Sequence, residues 1–160
     1  MQDFAKYFQP HRYVKWFRDK KIFFLISQNQ PLVLTSFALG EKVKFSISSR
    51  KEYILRYLQS YTSEKSTMHW IERTVDRNDI VWDIGANVGA YSLLLGKLVK
   101  PIKHKGKTFS FEPESANFYS LNRNIQLNKL SDRVIAIPLA FGKKFKMGEF
   151  FLSSNEPGSA

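Results

Sequence analysis

"VWDIGANVGAYSLLLGK", residues 81–97, opens as a buried strand and closes as an amphipathic helix. Ile80 to Ile84 is apolar at alternate and intervening positions alike, the pattern of a strand covered on both faces inside a parallel sheet. After Asn87 the period changes, and Val88, Tyr91, Leu95 and Leu98 fall on one helical side, ending before Pro101. The junction holds Asp83 and the turn Gly85-Ala86-Asn87-Val88-Gly89. Strand, glycine turn and helix in this order set the topology of everything downstream.

The alternation continues. "TFSFE" at 108–112 reads as a second strand that Pro113 stops, and a helix from Ser115 to Lys129 buries Phe118, Leu121 and Ile125. "VIAIPL" at 134–139 is a third strand, and "KMGEFFLSS" at 146–154 is expected to begin a fourth. "KPIKHKGK" at 100–107 is a lysine-rich loop on the side away from the turn. Strands alternating with helices imply right-handed crossovers and a parallel sheet, so the fold class is α/β, Rossmann-like, with flanking helices.

Upstream, "KVKFSIS" at 42–48 alternates as a strand. Residues 51–61 predict a helix with Ile54, Leu55, Leu58 and Tyr61 on one side, and residues 66–76 a helix with Trp70, Ile71 and Val75 inward. No strand signal precedes Lys42, so residues 1–41 are expected to be a basic, aromatic helical appendage and 42–160 the domain itself. From His11, the residues Tyr13, Trp16, Phe17 and Phe24 share a helical face, and basic residues lie between them. Docking on the core explains that face; contact of residues 11–26 with a membrane surface is the sharper reading.

The totals bound the partners. With 43% hydrophobic residues a chain of 160 residues can bury one core, and the absence of cysteine excludes disulfides and thiolate metal sites. No apolar run reaches the length of a membrane span and no small-residue cleavage site follows "IFFLIS" at 22–27, so a cytoplasmic location is expected. The net charge of +11 is spread over both halves and favours acidic partners such as nucleic acid. His11, His69 and His104 have no ligand-spaced neighbours, so neither a metal nor a catalytic base is assigned.

In open α/β sheets a ligand lies beyond the carboxyl ends of the strands. Gly85 and Gly89 let the backbone turn tightly and a ligand come close, and the helix N-terminus after Asn87 suits a carboxylate or phosphate. Asp83 accepts from an ammonium group or a bound water, so an amino-acid head group fits. Glu112 ends the second strand, where a carboxylate receives vicinal ribose hydroxyls. Asn87 breaks the dinucleotide fingerprint, and no Gly-Lys-Ser/Thr closes a phosphate loop. What remains fits S-adenosylmethionine, with the methionine at Asp83, Gly85, Asn87 and Gly89, ribose on Glu112, and adenine near Leu139 and Ala140.

"VWDIGANVGAYS", "FSFEPESANFYSLNRNIQLNKL" and "AIPLAFG" together resemble the core of the FkbM-type S-adenosylmethionine-dependent methyltransferases, over roughly residues 75–160. The resemblance implies a class I methyltransferase fold and O-methylation of a sugar or natural-product hydroxyl, with a small hydroxylated acceptor. It also implies a cofactor-proximal glutamate, at the position of Glu64. Relatives continue into a fourth strand with an acidic Asp-x-Glu-Gly stretch that this sequence does not contain. The chain is therefore expected to be the front part of a methyltransferase domain, truncated after the third core strand. It should self-associate through an unpaired strand edge, bind the cofactor weakly and not turn over alone. An RNA methyltransferase is the alternative that the charge suggests, against which "FEPE" speaks, and a non-catalytic cofactor-binding or interaction module is a third.

Overall fold

The structure, a computed structural model, describes residues 10–27, 31–99 and 106–144. Helix α1 (Pro10–Ser27) precedes strands β1 (Leu32–Ala38) and β2 (Glu41–Ile47). A π-helical segment (Glu52–Leu58) and the short α2 (Ser60–Ser63) lead into α3 (Lys65–Thr74). Then β3 (Ile80–Ile84), α4 (Ala90–Leu98), β4 (Lys107–Phe111), α5 (Ser115–Leu127) and β5 (Val134–Ile137) alternate as expected. Strands β3, β4 and β5 form a parallel sheet in that order, with Asp83 beside Ser110 and Phe111 beside Ile137. The strand expected at 146–154, the side chains of residues 4–17, His104 and most of the lysine loop lie outside the described residues.

Among the described residues the two faces of this sheet are covered unequally. Val81, Thr108, Ser110 and Val134 are buried beneath α4 and α5, where Leu93, Leu94, Leu121 and Ile125 fill the core. Gly96 permits the closest approach, because a Cβ there would lie 2.3 Å from Val134. The other face of β3 is open: Ile80, Trp82 and Ile84 are 63%, 58% and 58% exposed. This corrects the reading of β3 as a strand buried on both sides. Its apolar outer residues meet only a partial cover, a cluster of Trp82, Phe111 and Phe141 with ring centroids 4.8–5.9 Å apart. Among the described residues no strand pairs with the outer edge of β3.

The N-terminal half departs further from expectation. Strand β1 lies inside the stretch read as wholly helical, and pairs antiparallel with β2 across the expected boundary at 41/42. Two local features hide it. Its outward side carries Val33 and Phe37, so hydrophobic alternation is blurred. Its turn is Leu39-Gly40, at φ +48° and +78°, and leucine is a poor announcement of the positive φ that a type I′ hairpin turn requires. On α1, Ile22, Phe23 and Ile26 pack against the core while Phe24 points outward, which corrects the assignment of Phe24 to the packed face. Phe23 meets Tyr53 edge-on at 5.6 Å, and the Tyr53 hydroxyl donates to Asp19 at 2.7 Å.

The helix expected at 51–61 starts with a capping box: Ser49 N–H donates to Glu52 at 3.0 Å and Glu52 N–H to the Ser49 hydroxyl at 3.0 Å. Its winding is π rather than α, which turns Tyr53 inward and Leu55 outward. Tyr57 and Tyr61 meet Phe45 of β2, and Tyr53 stacks on Tyr57. On α3, Ile71 is buried but Trp70 is exposed, so only part of the expected face is inward.

Two asparagines fasten the hairpin to the sheet domain. Asn128 accepts from Lys44 N–H at 2.9 Å and donates to Lys44 carbonyl at 2.7 Å, as a neighbouring strand would. Asn124 accepts from Ser46 N–H at 2.8 Å and donates to the Val88 carbonyl at 2.9 Å. Side-chain amides thus satisfy the free edge of β2 and tie it to the glycine turn.

Candidate functional site

The turn after β3 is built by three left-handed residues, Gly85 (φ +80°), Asn87 (φ +52°) and Gly89 (φ +94°). Asparagine tolerates that region better than other side chains with a Cβ. The amides of Gly85 and Ala86 both donate to the Phe111 carbonyl at 3.0 Å, so the turn hangs on the end of β4. The two glycines serve different ends. A Cβ on Gly85 would meet nothing within 4 Å, leaving open space beside the backbone. A Cβ on Gly89 would sit 2.6 Å from Leu121, so that glycine makes room for α5 rather than for a ligand.

Glu112 closes the turn from the other side. It is 4% exposed. One carboxylate oxygen accepts from Asn87 N–H at 2.7 Å and the other from Glu114 N–H at 2.8 Å. Each oxygen keeps a further lone pair, so the group retains capacity for two more donors. Asn87 turns its own oxygen toward Val88 N–H at 2.9 Å, and its buried Nδ2 has no hydrogen-bond partner.

Asp83 accepts from the Ser92 hydroxyl at 2.5 Å. Because Gly89 offers no side-chain cap, this bond brings a carboxylate to the first turn of α4, where the helix dipole favours negative charge. Burial raises the Asp83 pKa above the ordinary carboxylate value, the bonds from Ser92 pull against that rise, and the nearby Glu112 charge adds to it.

Two tyrosines wall the same end of the sheet. Tyr61 donates to the Ala90 carbonyl at 2.6 Å and Tyr91 to the Ser60 carbonyl at 2.8 Å, a reciprocal pair joining α2 to α4. Burial is the main cause that raises both phenols, Tyr61 well above its usual value. Glu64 bears on Tyr91, raising its pKa by hydrogen bonding and by charge, and so belongs to this wall. Ser92, Tyr61 and Tyr91 were not legible as site residues. Ser92 carried no local signal, because the acid it meets lies nine residues earlier, across the turn; the tyrosine pair likewise depends on a contact between distant elements.

Leu139 and Ala140 follow β5 and, with Phe111, Phe141, Gly142 and Lys144, line a cleft of about 250 Å³. The structure therefore brings Asp83, Gly85, Asn87, Gly89 and Glu112 to one turn, with Leu139 and Ala140 at the end of a neighbouring strand. Among the described residues no three His, Cys, Asp or Glu side chains converge as a metal site needs, and no helix is long and apolar enough to cross a membrane.

No protein-family model matches the chain. No curated protein matches it either. Solved structures do. TYW2 from P. horikoshii in complex with MeSAdo is 22% identical at a TM-score of 0.41, over 68% of this chain and 36% of that one. TYW2 from M. jannaschii in complex with AdoMet is 23% identical at 0.39, over 69% and 44%. The M. jannaschii tRNA m1G37 methyltransferase is 20% identical at 0.41, over 71% and 31%. The chain thus spans less than half the length of each of these proteins.

Proposed function

We propose that the chain is the cofactor-binding part of an S-adenosylmethionine-dependent methyltransferase. The observation that carries this reading is the meeting of Glu112 with the Gly85–Gly89 turn at consecutive strand ends. The residues present fit the group. Open space beside Gly85 and the unpartnered Asn87 Nδ2 suit the methionine carboxylate, and Asp83 suits its ammonium. The remaining lone pairs of Glu112 suit the ribose diol, and the cleft at Leu139 and Ala140 suits an adenine ring. The cofactor supplies an electrophilic methyl on a sulfonium. The chain's own residues hold and orient it: the hydrogen bond from Asn87 N–H fixes the Glu112 carboxylate, and Ser92 fixes that of Asp83. No residue is assigned as a base.

For the acceptor, RNA fits the chain better than a small hydroxylated molecule. The net charge of +11 suits a polyanion and gives no advantage with a neutral sugar. The FkbM resemblance supports the second reading, O-methylation of a hydroxyl, through its Asp-Ile-Gly-Ala-Asn-x-Gly and Phe-Glu-Pro stretches.

Calorimetric titration of the purified chain with S-adenosylmethionine and with its demethylated product tests the cofactor reading. Binding is expected, weakened in Glu112→Ala on the order of 3 kcal/mol for two lost bonds to a charged acceptor. Leu139→Asp, which leaves the turn intact, should weaken it as well. No binding by the wild type would leave the non-catalytic module as the surviving reading, and equal affinity in both variants would remove these residues from the site.

A further inference from the structure

We infer that the outward face of the β1–β2 hairpin and the outer stripe of α5 form a docking surface for single-stranded RNA. The hairpin's solvent side carries Phe37, 67% exposed, next to Lys42, whose ammonium lies 5.8 Å from the ring centroid. Lys44 follows on the same side. The stripe on α5 carries Tyr119, 66% exposed, then Arg123 and Gln126. Asn124 and Asn128 seal α5 to the edge of β2, so the two outward faces adjoin.

At the start of the hairpin, Pro31 and the α5 residues Tyr119, Asn122, Arg123 and Gln126 line a cleft of about 680 Å³. Asn122 spends its Nδ2 on the Phe118 carbonyl at 2.8 Å, which leaves its oxygen as an acceptor toward a base edge. Helix α5 contains no acidic residue. Exposed aromatic rings beside cations, with amides between them, are what unpaired bases and their phosphates need: every base has a face to stack, and the backbone is anionic. A duplex buries those faces, so the surface selects single strands. The inference rests on the RNA reading of the acceptor and is independent of the cofactor site.

Fluorescence anisotropy of a labelled, mixed-sequence 12-mer RNA with the full chain tests it. Affinity should fall with salt at a logarithmic slope of about −2, three cations times about 0.7 for single strands. The double variant Phe37→Ala/Tyr119→Ala should lose about thirtyfold or more in affinity, since stacking on an aromatic carries about fivefold or more per base. Arg123→Glu should also weaken binding, whereas Lys65→Glu, on exposed α3, should not. The surface is refuted if the double variant binds like wild type, if Lys65→Glu costs as much as Arg123→Glu, or if a polyglutamate peptide competes as well as RNA, which would indicate an acidic protein partner. A chain that binds this RNA through these residues but does not bind S-adenosylmethionine would uphold the surface while overturning the cofactor reading.

Discussion

Replacing Glu112 by alanine should unfold the turn before it affects anything else. The carboxylate holds two backbone amides, Asn87 N–H at 2.7 Å and Glu114 N–H at 2.8 Å. The first bond is buried and the second part-buried. A hydrogen bond to a charged group contributes about 1.5–3 kcal/mol, and a buried donor left without a partner costs in the upper part of that range. The two bonds together therefore amount to about 4 kcal/mol, and relief of the carboxylate's own desolvation offsets part of this, leaving on the order of 3 kcal/mol. For a chain of this length each kcal/mol shifts the midpoint by about 2–4 °C, so Tm should fall by about 6–12 °C. Glu112→Gln should fall in between, because one amide keeps an oxygen and the other faces an NH2 group. Urea unfolding followed by circular dichroism would measure both. A loss under about 1 kcal/mol for Glu112→Ala with an unchanged m value would refute the reasoning, since the bonds would then contribute nothing net.

Three further outcomes follow from the same geometry. Gly85→Ala should cost only the strain of its positive φ, about 1 kcal/mol, whereas Gly89→Ala adds an overlap with fully buried Leu121 and should cost about 2–4 kcal/mol; equal denaturation midpoints would be wrong for this packing. Asp83 has a raised folded pKa, so the folded chain binds its proton more tightly than the unfolded one; the stability cost of its charge is absent below the ordinary carboxylate pKa and grows as pH rises from there through the folded pKa. Asp83→Asn, which keeps an acceptor for Ser92, should accordingly gain thermal stability over wild type at pH 7 and lose that gain toward pH 4, and a gain independent of pH would count against burial as the cause. Finally, the face and edge of β3 that no described strand covers should drive self-association, which Trp82→Lys should reduce in light scattering at fixed concentration, while an unchanged scattering mass would point to another surface.

The sequence by itself determined the segment from β3 to β5. Its apolar periods, Pro113 and the glycines near Asp83 are local signals, and each states what the backbone must do within a few residues. It likewise determined that Asp83 and Glu112 end adjacent strands, because right-handed crossovers leave little choice. What only the tertiary structure decided are contacts between distant residues. Glu112 turned out to brace the turn through Asn87, and Gly89 to make room for Leu121. The hairpin strand β1, which its own residues announce weakly, pairs along its length with β2, whose other edge is satisfied by Asn124 and Asn128 far along the chain. The same holds for β3, whose apolar outer residues specify a strand but not which face is covered. Local chemistry fixes the course of the backbone, while burial and hydrogen-bond partners are settled by which elements meet, and a run of neighbouring residues does not carry that information.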